Sequence, residues 1–484
     1  MRLTFLALLV VSLFVLLLAR LWFLQVMAGS RYAELAEGNA IRTITVEAPR
    51  GKILDRDGQE IVTNRYAMVV SVQPSEMGDA EQRDLILADL SNLVGVPLTV
   101  IKERIADMRL APLRPKPIAI DVPADIVFYI HENRSTRFPG VYAEQLPVRH
   151  YPGGDMGAHL IGYLGQISEN ELVLPEFAGY RPGDVIGWSG VERQYESVLR
   201  GTAGERQLEV NRQNEVLREL QGREPVAGAD VRLSIDLDTQ RIAEDALRRG
   251  IENARTVQDR DSGPGRGGTF KAPAGSVVVI DPRTGDIRAM ASYPTFQPSE
   301  FVGGVRQEYW DYLQDRGSAF PLINRALSAS YPPGSVFKVV SAAAALDRGY
   351  LEPQELIACP GQWEFGQQIF RNWSPHDRGH IDVVQALTQS CDTFFYELAR
   401  QMWTSEQDGV VRGEALSDEA RAWGFGERTG IDLPGERPGV IPGRQWRREY
   451  WEANRGTYCR KGQTLEQGTY AQLVNADLCE NGAR

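Results

Sequence analysis

Hydrophobic positions are unevenly spread along this chain. After Arg2, "LTFLALLVVSLFVLLLA" (residues 3–19) carries no charge, and past Arg20 the apolar run resumes with "LWFLQVMAG". Together they are long enough to cross a hydrocarbon layer of ~30 Å as one helix. A cleaved signal peptide is the competing reading, since Val26 and Ala28 satisfy small-residue positions before Gly29. The run exceeds the ~7–15 residues of a signal core, so residues 1–28 are expected to be an uncleaved transmembrane anchor. The tail with Arg2 then lies inside, and the bulk of the chain is exported.

Past the anchor the period changes. Residues 30–64 pass from a short helical pattern to alternating strands, with a turn at Asp57-Gly58. From about residue 66 to 225, short helices and strands alternate between Pro and Gly, which predicts an elongated α+β pedestal over residues 29–230. "VERQYESVLRG" reads as one helix opened by the turn at Trp188-Ser189-Gly190. That turn is no nucleophile elbow, because Val191 stands where GxSxG needs its second glycine.

A further domain is expected over residues 231–484. It opens with a strand near Arg232, an Asp-rich helix start and an amphipathic helix. The glycine-rich stretch 260–275 follows as a loop and lacks the strand–helix setting of a phosphate cradle. "SVVVIDPRTGDIRAMASY" predicts a hairpin turning at residues 282–285, so this domain should be an antiparallel sheet backed by helices. The fold class is α+β.

Charge and composition narrow the chemistry. At 484 residues the chain needs more than one core, and its net charge of −11 argues against a nucleic-acid partner. Four cysteines and five histidines form no CxxC pair or HExxH helix.

The sharpest chemical signal is "YPPGSVFK", residues 331–338. Ser335 and Lys338, three apart, share a helix face. Pro332 and Pro333 suit the start of that helix, where the dipole favours negative charge on the serine. Apolar residues follow on every side (Val339, Val340, residues 342–346), which predicts an enclosed helix. Burial disfavours an ammonium ion, so Lys338 is a candidate acceptor for the serine proton. Taken alone, SxxK is as readily a capping serine beside a snorkelling lysine.

The wider context resembles a known family. "NRALSASYPPGSVFK" (residues 324–338) looks like the nucleophile motif of class B penicillin-binding proteins, and "SCDTFFYELA" (390–399) like their second motif. "APRGKILDRDGQEIVTN", "PVRHYPGGDMGAHLIGYLG", "SGVERQYESVLRG" and "FGERTGIDLPGE" follow the family's order. YPPGS and SCDTFFY point to its elongation-type members. The resemblance covers nearly the whole chain from the anchor to about Gly439.

This resemblance implies a pedestal of the dimerisation type and a penicillin-binding, serine β-lactamase-like transpeptidase domain. Ser335 would be the acylated nucleophile, Lys338 its base, Ser390 a proton relay, and Asp392 the group that positions the network and the substrate. The Ser335 N–H would supply half of an oxyanion hole. The substrate would be the D-alanyl-D-alanine end of a peptidoglycan stem peptide, with β-lactams as mimics. Implied partners are the cell membrane and a SEDS-type glycosyltransferase of the elongation complex. The alternatives are a D,D-carboxypeptidase or a non-catalytic β-lactam-binding scaffold.

The family's third motif, Lys-Thr/Ser-Gly on an edge strand, is missing. Arg428-Thr429-Gly430 falls too early, inside a loop. A chain truncated at its C-terminal end, unable to turn over as it stands, is therefore expected. No cofactor is expected. Some relatives hold zinc near the second motif, but the equivalent positions here read Asn372 and Arg378, which leaves His376, Asp377, His380 and Cys359 as a weaker, rearranged set. Cys391 is expected to be a small buried filler, and Cys459 with Cys479 to form a disulfide if their α-carbons come within ~7 Å.

Overall fold

The computed structural model describes residues 2–27, 41–106, 115–210, 216–220, 222–258, 268–366, 368–407 and 414–464, with 475, 478 and 479. The first apolar run forms the α-helix Arg2–Trp22, continued by a π-helical turn over Phe23–Met27. Among the described residues, however, no helix is long and apolar enough to cross a membrane. The expected anchor is thus supported by the apolar run in the sequence and not by the described structure. The glycine-rich loop over 260–275 lies partly outside the described residues.

The chain divides into two compact units, residues 1–326 and 327–484. In the first, a five-stranded sheet is built around the long strand Glu60–Val72, which pairs antiparallel with Val141–His150 from Thr63↔His150 to Val72↔Val141. The turn before it forms because Asp55 Oδ1 accepts the Asp57 and Gln59 N–H groups while Gly58 takes φ 87°. Val70, Val72, Leu87, Leu90, Ile118 and Ile130 close the core beneath this sheet.

The structure corrects the single helix expected over "VERQYESVLRG". Two short helices, Gly190–Gln194 and Glu196–Leu199, are interrupted at Tyr195. Both glutamates face inward: Glu192 accepts from Arg50 (2.7 Å) and Arg149 (2.7 Å), and Glu196 from Arg50 (2.8 Å). A buried charge needs such partners.

The helix Leu237–Ala254 starts as expected, with Asp236 Oδ1 accepting the Thr239 N–H at 2.8 Å. It packs through Ala243 on Ala289 and Ala291 of the hairpin Gly275–Ile280/Ile287–Tyr293. That sheet is antiparallel, as expected, but has only two strands among the described residues.

The second unit is mainly helical. Helices Lys338–Asp347, Val383–Thr388, Asp392–Gln407 and Ala415–Ala422 enclose a core that includes Ala344, Ala345, Ile381, Ala386, Phe394 and Leu398. Two small strand pairs, Ile357–Ala358/His380–Ile381 and Gln362–Phe365/Gln368–Arg371, precede the helix that carries the second motif. Cys459, on helix Arg444–Thr464, is bonded to Cys479 with a Cα–Cα distance of 4.8 Å, as expected.

Candidate active site

Residues 331–347 take their shape from Pro-Pro-Gly. Gly334 adopts φ 61°, a conformation open to glycine at little cost, and starts the 3-10 turn Gly334–Phe337. The α-helix Lys338–Asp347 follows directly, and the Lys338 N–H donates to the Ser335 carbonyl. Ser335 thus lies one turn before Lys338, exposed, and its hydroxyl has no protein partner among the described residues.

Lys338 does not snorkel to solvent. Its side chain is 12% exposed, and Nζ donates to the Ser390 carbonyl (2.8 Å), Ser390 Oγ (3.1 Å) and Asp392 Oδ1 (2.5 Å). All three ammonium donors are used, and the Phe395 ring centroid lies 5.7 Å away. The expected enclosure of the helix needs correction. Val340, Ala342, Ala344 and Ala345 are buried, but Val336 and Val339 are 76% and 50% exposed. An apolar run locates a buried face without requiring that every face be covered.

The partner segment is assembled just as locally. Helix Val383–Thr388 begins with a capping box between Asp382 and Gln385. Ser390 then takes φ 52°, left-handed for a non-glycine residue, and Asp392 opens the next helix, where a carboxylate is favoured. Asp392 Oδ2 accepts the Trp373 N–H at 3.0 Å, and the Asp392 N–H donates to Asn372 Oδ1 at 3.1 Å. Of the four residues singled out in the sequence, three converge in one hydrogen-bonded cluster, and Ser335 stands one helical turn from it.

Cys391 is buried but is no mere filler, because it is bonded to Cys359. Their sulfurs are therefore unavailable as thiolate ligands. Asn372 directs its Nδ2 at Cys359 Sγ (3.6 Å) and Cys391 Sγ (3.8 Å), presenting a donor where a metal would need an acceptor. Among the described residues no group of three or more His, Cys, Asp or Glu could hold a metal ion. The residues present do not fit zinc, and the chemistry proposed below routes no step through it. Arg428-Thr429-Gly430 lies in a loop where Glu436 Oε1 accepts from both the Thr429 N–H and its hydroxyl at 2.7 Å, so no strand presents it. Sequence reasoning missed Asn372 and Trp373 as partners of Asp392. Two cysteines 32 positions apart were the one available hint.

Two family descriptions match the chain: the penicillin-binding protein dimerisation domain over residues 45–233 and the penicillin-binding protein transpeptidase domain over residues 275–476. The peptidoglycan D,D-transpeptidase MrdA of Acinetobacter baumannii is 30% identical over 477 residues, which are 97% of this chain and 65% of that relative. Similar solved structures include the complex between penicillin-binding protein PBP2 and MreC from Helicobacter pylori, at TM-score 0.66 and 26% identity over 85% of this chain and 71% of that one. Another, described as the structural coordination of polymerization and crosslinking by a peptidoglycan synthase complex, has TM-score 0.60 and 30% identity over 99% of this chain and 74% of that one. The chain spans 65% of the length of the Acinetobacter relative.

Proposed function

The chain belongs to the class B penicillin-binding proteins of the PBP2 type, and from that premise we propose that it is a peptidoglycan D,D-transpeptidase acting through a serine acyl-enzyme. Ser335 Oγ attacks the carbonyl between the two terminal D-alanines of a stem peptide. The Ser335 proton passes to Lys338 Nζ, the general base, which Asp392 Oδ1 holds in position from 2.5 Å. The Ser335 N–H, in the first turn of its helix, faces the developing oxyanion. The C–N bond then breaks and D-alanine leaves, its amine protonated through the Ser390 hydroxyl, 3.1 Å from Nζ. An amine from a neighbouring stem attacks the ester, regenerates Ser335 and forms the cross-link.

The observation that carries this reading is the turn of Lys338 away from solvent onto Ser390 and Asp392. A surface lysine beside a capping serine would have no such set of partners. By the same premise, residues 1–28 anchor the protein once in the inner membrane, 29–230 form the pedestal, and 231–484 form the transpeptidase domain on the outer side. The neighbours described with MreC and as a peptidoglycan synthase complex support partners in the elongation machinery, among which the family resemblance implies a SEDS-type glycosyltransferase.

The test is labelling with a fluorescent penicillin followed by peptide mass mapping. Label is expected on Ser335, lost in Ser335→Ala and reduced by about 100-fold or more in Lys338→Ala. Absence of label on the full gene product, or its persistence in Ser335→Ala, overturns the assignment.

A further inference from the structure

Ser390 and Asp392, the two residues that Lys338 grips, flank a cysteine whose sulfur is bonded to a distant segment of the same unit. That segment is held in place by its own backbone: the Cys359 N–H donates to the Gly379 carbonyl (2.8 Å), and the Arg378 N–H to the Cys359 carbonyl (3.0 Å). Thr393 Oγ1 reaches the Pro360 carbonyl at 2.9 Å, a second tie between the same two stretches. Both cysteines are buried, at 0% and 1% exposure.

Asn372 links the disulfide to the site. Its Nδ2 faces the two sulfurs, while its Oδ1 accepts the Asp392 N–H at 3.1 Å. The next residue, Trp373, donates its N–H to Asp392 Oδ2, and its indole Nε1 donates to the Gln389 carbonyl at 3.0 Å. Ser390 meanwhile holds φ 52°. A non-glycine residue keeps that conformation when its surroundings over-determine it, and here the next residue is bonded covalently. If this turn relaxed, the Ser390 carbonyl, its hydroxyl and the Asp392 carboxylate would all move relative to Lys338.

We propose that the Cys359–Cys391 disulfide and Asn372 are positioning residues that clamp Ser390 and Asp392 around Lys338, so that fast acylation of Ser335 requires the clamp. The proposal rests on the reading of Ser335 as the nucleophile. The clamp acts on the geometry of proton transfer, so its loss should lower the rate of the chemical step and leave ligand binding nearly unchanged.

The test compares benzylpenicillin acylation of the parent chain, Cys359→Ala/Cys391→Ala, and Cys459→Ala/Cys479→Ala. The last pair removes the other disulfide of the same unit, which makes no hydrogen bond or ion pair with the cluster among the described residues. Melting temperatures are recorded for all three. The clamp variant is expected to lose about 10- to 100-fold in the limiting acylation rate, with an apparent Kd within about 2-fold of the parent and an altered pH profile. The control pair should keep the parent's rate and profile. Asn372→Ala, which leaves both disulfides intact, should show a smaller loss of the same kind and serves if the double variant fails to fold. Unchanged rates in the clamp variant or in Asn372→Ala, or equal losses in the control pair, overturn the clamp. A full gene product that takes no label overturns the nucleophile reading instead, and the clamp with it.

Discussion

His159 is buried at 6% exposure, with Nε2 donating to the Pro321 carbonyl at 2.6 Å and the Phe296 ring edge-on at 5.1 Å. Burial, with a smaller contribution from Arg325, lowers its pKa from 6.5 to about 4. Folded His159 therefore stays neutral between pH 6.5 and 4, where the unfolded chain takes up a proton. Its effect on stability is absent above pH 6.5, and stability is lost as pH falls towards 4, by roughly 3 kcal/mol in all. Urea unfolding of residues 1–326 at pH 7 and 4.5 should show this slope, and His159→Gln, which keeps a donor for Pro321, should flatten it. An equally steep slope in that variant would assign the proton uptake to another group. At this scale Ser335 and Lys338 were singled out by their spacing after Pro-Pro-Gly, whereas Ser390 and Asp392 came from the resemblance of the second motif to a known family. The role of Asn372 was not legible, because nothing local marks an asparagine as the link between a disulfide and the Asp392 backbone.

Helices were most legible where their signals are local. The Asp-rich start read after Arg232 is the cap of Leu237–Ala254, with Asp236 accepting the Thr239 N–H. Asp236→Ala should destabilise its unit by about 1 kcal/mol in chemical denaturation without altering the fold, whereas Asp236→Asn, still able to accept, should recover most of it. The break at Tyr195 was misread as continuous helix; Glu192 and Glu196 on either side of it pair with Arg50, more than 140 positions away, and Glu192 also with Arg149. The hairpin Gly275–Ile280/Ile287–Tyr293 was legible because its turn and both strands lie within one short stretch.

Across the whole molecule, the two compact units hold their stabilising features separately. Both disulfides, Cys359–Cys391 and Cys459–Cys479, belong to residues 327–484, and the buried Arg50–Glu192–Arg149 cluster belongs to residues 1–326. Loops closed over separations of 32 and 20 residues should contribute about 4 and about 3 kcal/mol by restricting the unfolded chain. Calorimetry in a dithiol reductant should therefore lower the transition of residues 327–484 and leave that of 1–326 in place, with proteolytic mapping to identify each. A reductant-induced shift of both transitions would show that the units unfold as one.

The sequence alone determined the α+β class, the motif order and the residues of the candidate site. The class and the Ser335–Lys338 pair rest on local periodicity, turn chemistry and short spacings, which the chain carries wherever it folds. The motif order, Ser390 and Asp392 rest on the resemblance to a family. Tertiary structure decided which way Lys338 points, that Cys391 is paired with Cys359, and that Asn372 joins that bond to Asp392. Each depends on segments brought together by packing, and such contacts leave no pattern in the linear order of residues.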